Sequence, residues 1–154
     1  MKSLMVLGIG NRIMMDDGIG IQVVEELAKR NTDPFIQYIV GETDIFYCLN
    51  EIKEASYSVI VDAAYLGEKP GTLSIIPLQQ ISETTIKSAS AHDSHFINEL
   101  RIGSKNIKGT FLGIEPYYID YGTNLSPTLA ERFIEIVNHV ERIIQHINHN
   151  YMDY

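Results

Sequence analysis

Three short apolar runs, separated by stretches with helical periodicity, constrain the fold of this chain more than any other feature. The runs SLMVLGI (residues 3–9), YSVIVDAA (57–64) and GTFLGIEP (109–116) are largely apolar. A strand with one solvated face alternates between apolar and polar residues, whereas a nearly continuous apolar run is typical of a strand covered on both faces. Such strands occur in parallel sheets, so the sequence predicts an α/β fold.

The segments between these runs predict the helices and the remaining strands. In GIGIQVVEELAKR (residues 18–30), Ile19, Val23 and Leu27 have helical spacing, and Asp17 precedes them as an expected N-cap. The other predicted elements are a strand at 35–40, helices at 43–52 and 92–100, an edge strand at 72–78 that includes Pro77, and a long final helix opened by Ser126 and Pro127.

This alternation of strands and helices predicts three layers. The expected architecture is a twisted, mostly parallel sheet with helices on both faces and one antiparallel edge strand. A length of 154 residues suits one domain, so we expect a single domain over residues 1–154.

Composition and charge argue against several classes of protein. A formal net charge of -8, with no cluster of Lys and Arg, argues against nucleic acid as a partner. The single cysteine, Cys48, can form no internal disulfide, which argues against a secreted, disulfide-stapled scaffold. No apolar run reaches the roughly 18 residues of a membrane helix. We therefore expect no membrane insertion and a cytoplasmic location.

The glycine-rich opening invites comparison with nucleotide-binding loops. Gly8 and Gly10 supply the first two glycines of the dinucleotide fingerprint, but Ile13 stands where the third is needed. The sequence also lacks a Walker lysine, an H-E-x-x-H motif and a G-x-S-x-G nucleophile elbow. The missing third glycine and the acidic net charge therefore make a nucleotide-binding domain the least favoured interpretation.

Polar residues that directly follow the predicted strands are the candidates for chemistry. Ligands bind at the carboxyl ends of the strands in open α/β sheets. Asp16 and Asp17 follow the first strand, Asp62 lies near the end of the central strand, and the loop SAHDSH brings His92, Asp93 and His95. Carboxylates and an imidazole at one sheet edge would suit a divalent metal such as nickel or zinc.

Each of these residues also has a structural interpretation. Asp17 would serve as a helix cap, and His92 would cap the following helix or lie in a loop. Asp62 lies near the end of a predicted buried strand, where a carboxylate is costly without compensation, so a purely structural role is less favoured there. Cys48 lies in an apolar helical stretch and is expected to be a buried, inert thiol.

Four segments together resemble a known family, the maturation endopeptidases of nickel-iron hydrogenases. The resemblance lies in content, order and spacing and spans nearly the whole chain. Any one segment alone would be a weak signal. The segments are GIGNRIMMDDGIG (residues 8–20), VDAAYLGEKPGTL (61–73), SAHDSHFINEL (90–100) and FLGIEPYYIDYGTNLSP (111–127).

The resemblance implies an endopeptidase that removes a short C-terminal extension from the hydrogenase large-subunit precursor once nickel has been inserted. The family's metal-contacting positions correspond to Asp17, Asp62 and His92, which are thus the implied catalytic and metal-binding residues. His92 matches better than His95 because apolar residues follow it at the family's spacing. The implied nickel arrives in the substrate, and no organic cofactor is implied.

The segment GETD (residues 41–44) corresponds to a polar turn that is often rich in glycine in this family. Glu42 stands in the place of one such glycine. The resemblance implies that Glu42, Thr43 and Asp44 help to bind the substrate.

Two other functions remain open at this point. One is a non-catalytic, nickel-dependent chaperone or scaffold that binds the large-subunit precursor without cutting it. The other is a different metallopeptidase or amidohydrolase that uses the same three residues on a metal of its own.

Overall fold

The computed structural model describes residues 3–81, 98–100 and 107–152. The helical turn Met15–Gly18 precedes α1, and a second short turn, Leu78–Gln80, follows β4. The regular elements are β1 (Leu4–Ile9), α1 (Ile19–Arg30), β2 (Ile36–Glu42), α2 (Ile45–Glu54), β3 (Tyr57–Ala63), β4 (Leu73–Pro77), β5 (Gly109–Ile114) and α3 (Pro127–Met152).

The five strands form one sheet in the order β2-β1-β3-β5-β4. All pairs are parallel except the last, in which the edge strand β4 runs antiparallel to β5. The predicted α/β fold, mostly parallel with one antiparallel edge strand, is therefore confirmed. Because β1, β3 and β5 are parallel neighbours, their carboxyl ends lie at the same edge of the sheet.

Helices cover both faces of the sheet, and β1 shows why its sequence is continuously apolar. Leu4 and Val6 pack into a core with α1 and α3, whereas Met5 and Leu7 pack into a second core with α2. Successive side chains of a strand point to opposite faces, so a strand between two helical layers needs apolar residues at every position.

The final helix, α3, begins as its sequence predicts. The Leu129 amide donates to Ser126 Oγ at 3.3 Å, so Ser126 is the N-cap and Pro127 the first helical residue. Its apolar stripe packs onto the core shared with α1. Among the helices in the described ranges, none is apolar enough over a sufficient length to cross a membrane.

Two predicted helix starts need correction. Asp17 does not cap α1: Gly18 occupies that position without a side-chain bond, and the Asp17 carboxylate turns back to accept from the Asn11 amide. The second helix begins at Ile45 rather than 43, because Asp44 Oδ1 accepts from the Tyr47 amide and so ends the preceding loop. The helix predicted at 92–100 lies outside the described residues, apart from 98–100, which are helical.

Gly20 sets the distance between α1 and the centre of the sheet. A Cβ built there would overlap the Val61 carbonyl of β3 and lie 2.9 Å from the Ile9 oxygen. We predict that Gly20→Ala lowers the free energy of unfolding by at least about 2 kcal/mol, because backbone atoms cannot yield and the overlap outweighs the gain in helix propensity. Chemical denaturation measures this loss.

The matched control is Lys29→Ala on the exposed face of the same helix. We expect it to change the free energy of unfolding by less than about 0.5 kcal/mol. A Gly20→Ala protein as stable as the control would show that α1 does not need this close approach.

Candidate active site

Buried carboxylates lie where each of the strands β1, β3 and β5 ends. Asp17 is in the turn after β1 and is 2% exposed, Asp62 is the penultimate residue of β3 and is 3% exposed, and Glu115 directly follows β5. The turn that carries Asp17 packs against β3. The two aspartates of the predicted site are therefore on adjoining elements at the expected sheet edge.

The turn Met15–Gly18 directs Asp17 into the protein. The chain leaves β1 through Gly10, which has φ +143° and lies against the Asp17 backbone carbonyl, where a larger residue would clash. Met15 has φ 50°, a left-handed conformation that is uncommon for a residue with a side chain. The Asn11 amide then donates to Asp17 Oδ2 at 3.0 Å. One carboxylate oxygen of Asp17 is thus held by the backbone of its own loop.

Asp16, next to Asp17 in the sequence, makes different contacts. It is fully buried, and its carboxylate accepts four hydrogen bonds: from the Tyr117 and Tyr118 amides at 2.9 Å each, and from the Ser126 amide and hydroxyl at 2.7 Å each. These donors lie between β5 and the start of α3. Asp16 therefore ties the turn that carries Asp17 to the loop that follows β5.

Asp62 is held at the end of the central strand. Its Oδ1 accepts from the Ala63 amide at 2.8 Å. Gly20 of α1 lies against the Val61 carbonyl, so the first turn of α1 is close to this end of β3. The same close approach brings the turn before α1, and with it Asp17, beside the strand that carries Asp62.

Glu115 and Tyr65 belong to the same region, and neither is among the site residues predicted from the sequence. Glu115 Oε2 accepts from the Leu66 amide at 2.8 Å, which joins the end of β5 to the loop after β3. Burial, followed by the charges of Asp16, Glu115 and Asp17, raises the pKa of Tyr65. The raised pKa extends to higher pH the range over which the Tyr65 phenol is neutral. The sequence carries a signal for Glu115, because this residue comes directly after a buried strand.

The predicted substrate-binding residues lie at the carboxyl end of β2, and all three are exposed. Glu42 has φ 53°, the left-handed conformation that a glycine would adopt readily. Its side chain pairs with Arg12 at 2.6 Å, and Arg12 also pairs with Glu25 at 2.8 Å. Asp44 caps α2 and Thr43 lies between them. Arg12 therefore joins this turn to the loop after β1.

Comparison with known proteins identifies the family. The sequence profile named hydrogenase maturation protease matches residues 21–145. This chain belongs to that family. Hydrogenase expression/formation protein HupD of Rhodobacter capsulatus is 30% identical over 136 residues, which cover 84% of this chain and 65% of HupD. The chain thus spans less than two thirds of that relative. The hydrogenase 2 maturation protease of Escherichia coli is 28% identical, with 86% of this chain and 84% of the relative covered.

Solved structures of this family share the fold. The hydrogenase maturation protease HybD of Thermococcus kodakarensis matches with a TM-score of 0.72 at 28% identity, over 92% of this chain and 98% of that one. The hydrogenase maturating endopeptidase HybD of Escherichia coli matches with a TM-score of 0.77 at 23% identity, over 94% and 93% of the two chains. The sequence resemblance to the maturation proteases is therefore confirmed.

The third predicted ligand, His92, lies outside the described residues, as do Asp93 and His95. Over residues 3–81, 98–100 and 107–152, no group of three or more His, Cys, Asp or Glu side chains is arranged to hold a metal ion. The described part of the site therefore contains Asp17 and Asp62, and the role of His92 stays a prediction.

The single cysteine, Cys48, is buried in α2, and we do not expect its thiol to act as a nucleophile. Burial, assisted by the charge of Asp44, raises the pKa of Cys48 to about 12. We predict that Ellman's reagent at pH 8 labels the native thiol at least about a thousandfold more slowly than the unfolded chain, since the thiolate fraction falls tenfold per pKa unit. Stopped-flow absorbance gives both rates, and Cys48→Ala provides the blank. Rapid labelling of the folded protein would contradict this assignment.

Proposed function

We propose that this protein is an endopeptidase that removes the C-terminal extension of a nickel-iron hydrogenase large-subunit precursor after nickel insertion. The observation that carries the proposal is the pair of buried carboxylates, Asp17 and Asp62, on adjoining elements at the carboxyl edge of the sheet. Ligand sites of open α/β sheets lie at this edge. Membership of the hydrogenase maturation protease family supports the reaction class.

Asp17, Asp62 and His92 are proposed to contact nickel that the precursor already carries. Two carboxylates and one imidazole match the oxygen and nitrogen ligands that borderline divalent ions accept. Asp17 supports this role through its geometry, because the Asn11 amide holds one carboxylate oxygen and so limits rotation of the side chain. When bound, nickel would supply Lewis-acid chemistry by polarising a carbonyl or a water molecule.

The residues of this chain would then bind and orient the substrate. Asp17 and Asp62 recognise the nickel-bearing part of the precursor and place the scissile peptide near it. The exposed segment Glu42, Thr43 and Asp44 would contact the adjoining peptide. Asp16 would position Asp17, because the four hydrogen bonds that Asp16 accepts fix the turn on which Asp17 lies. We place the reaction in the cytoplasm, which suits a chain whose single cysteine makes no internal disulfide.

A cleavage assay separates this function from that of a scaffold. The cognate large-subunit precursor, loaded with nickel, is incubated with and without the protein and followed by intact mass spectrometry. Loss of a C-terminal peptide only when the protein is present supports an endopeptidase. Formation of a stable complex without loss of mass supports the chaperone or scaffold instead.

A metal analysis separates the proposed endopeptidase, whose nickel comes with the substrate, from a peptidase that holds a metal of its own. We expect the purified protein, without substrate, to contain less than about 0.1 nickel or zinc per chain, because a site completed by its substrate is incomplete alone. Stoichiometric metal in the purified protein would favour a metallopeptidase or amidohydrolase that stores its own ion.

A further inference from the structure

An exposed apolar surface lies beside the turn that carries Asp17. It consists of Ile13, Tyr117, Tyr118 and Tyr121, whose exposed fractions are 55%, 58%, 51% and 82%. We call these four residues the tyrosine patch. Residues 117–126 contain one charged residue, Asp120, in a chain of which 21% is charged. Few charges and several tyrosines are the composition found at the centres of protein interfaces.

Backbone hydrogen bonds join the patch to the candidate active site. The Gly122 amide donates to the Ile13 carbonyl, and the Met15 amide donates to the Gly122 carbonyl, both at 2.9 Å. The Tyr117 and Tyr118 amides donate to the Asp16 carboxylate. The loop after β5 and the segment that leads to Asp17 are therefore one hydrogen-bonded unit, and the exposed side chains are held on a fixed backbone.

We propose that the tyrosine patch is the docking surface for the folded body of the large-subunit precursor. This inference rests on the proposed function. Its basis is continuity with the site: Ile13 is four residues from Asp17, and the patch shares its backbone hydrogen bonds. A protein that delivers a nickel centre and a scissile peptide to Asp17 must cover the adjoining surface. Docking on a preformed surface also costs little ordering entropy.

The test compares a patch variant with a matched control. Tyr117→Ala/Tyr121→Ala removes two exposed rings and leaves the backbone donors in place. Phe35→Ala removes an aromatic side chain that is 50% exposed directly before β2, at the amino ends of the parallel strands and thus away from the carboxyl edge that carries the patch. Biolayer interferometry measures the affinity of each protein for immobilised, nickel-loaded precursor. The same measurement is repeated with the mature large subunit, which has the folded body but lacks the extension.

We expect the patch variant to bind the precursor at least about tenfold more weakly than wild type, since truncating interface aromatics is among the costliest interface changes. The loss should also appear with the mature subunit. The melting temperature should stay within about 2 °C, as expected for exposed side chains. Phe35→Ala should bind like wild type.

Three results would overturn the docking surface. One is a patch variant with wild-type affinity, while wild-type protein cleaves the precursor; the proposed function then stands and only the surface is wrong. Another is an affinity loss confined to the form with the extension, which would assign the patch to the tail. The third is wild-type protein that neither binds nor cleaves the precursor, in which case the proposed function fails as well.

Discussion

Replacing Asp17 with Asn should lower the rate of precursor cleavage by at least about 100-fold. Substitution of residues that only hydrogen-bond to a metal ligand already lowers metal affinity or activity by about 10- to 100-fold. Asn retains the volume of Asp and can still accept from the Asn11 amide, so the turn should persist. The substitution removes the negative charge of a side chain that is 2% exposed and that the proposed function assigns to contact with nickel. Gel-based or intact-mass time courses with nickel-loaded precursor measure the rate.

Glu25→Gln is the matched control for Asp17→Asn. Glu25 is a partly exposed carboxylate on α1 that pairs with Arg12 at the surface. Its loss also removes one negative charge, and we expect a rate within about twofold of wild type, because surface ion pairs contribute little. Equal rates for Asp17→Asn and Glu25→Gln, with both proteins folded, would remove Asp17 from the proposed site.

Replacing Asp16 with Ala should cause the largest loss of stability of any single carboxylate change proposed here. The substitution leaves four donors without their acceptor, from Tyr117, Tyr118 and both groups of Ser126. Buried donors left unsatisfied cost about 1–3 kcal/mol each and are not additive, so we expect a loss of about 3–5 kcal/mol. For a chain of this length, that loss lowers the melting temperature by roughly 10 °C or more.

Asp120→Ala provides the comparison within the same loop. Asp120 is exposed and accepts from the Tyr121 amide and the Tyr118 hydroxyl. Water can replace it, so the expected loss in the free energy of unfolding is below about 1 kcal/mol. Thermal and chemical denaturation of both variants measure the difference. If Asp16→Ala proves no less stable than Asp120→Ala, the carboxylate does not fasten the two loops together.

The fold was predictable because burial on both faces leaves a clear mark on the sequence. β1 and β5 are buried at every position, and both were visible as apolar runs. The antiparallel edge strand was predictable for a related reason: β4 is only partly buried and ends at Pro77, which cannot donate to a ladder. Helix starts were less accurate, since Asp17 and Asp44 both have the residue type of a cap and only Asp44 is one.

The site was predictable only in part. Asp17, in the loop after a buried strand, and Asp62, near the end of another, could be singled out by position, but the different contacts of Asp16 and Asp17 could not. Asp16 is defined by partners that are 101 to 110 residues away in the sequence. Arg12 likewise becomes relevant only through its contact with Glu42, 30 residues away. Local patterns carry no signal for such long-range hydrogen bonds.

The central claim is that cleavage depends on nickel held by the precursor, and intact mass spectrometry tests it most directly. Nickel-loaded and nickel-free precursor are incubated in parallel with the protein, and the mass of each is recorded before and after. Our account predicts loss of a C-terminal peptide from the nickel-loaded sample alone. Equal cleavage of both samples would contradict nickel recognition by Asp17, Asp62 and His92, and cleavage of neither would contradict the proposed endopeptidase activity.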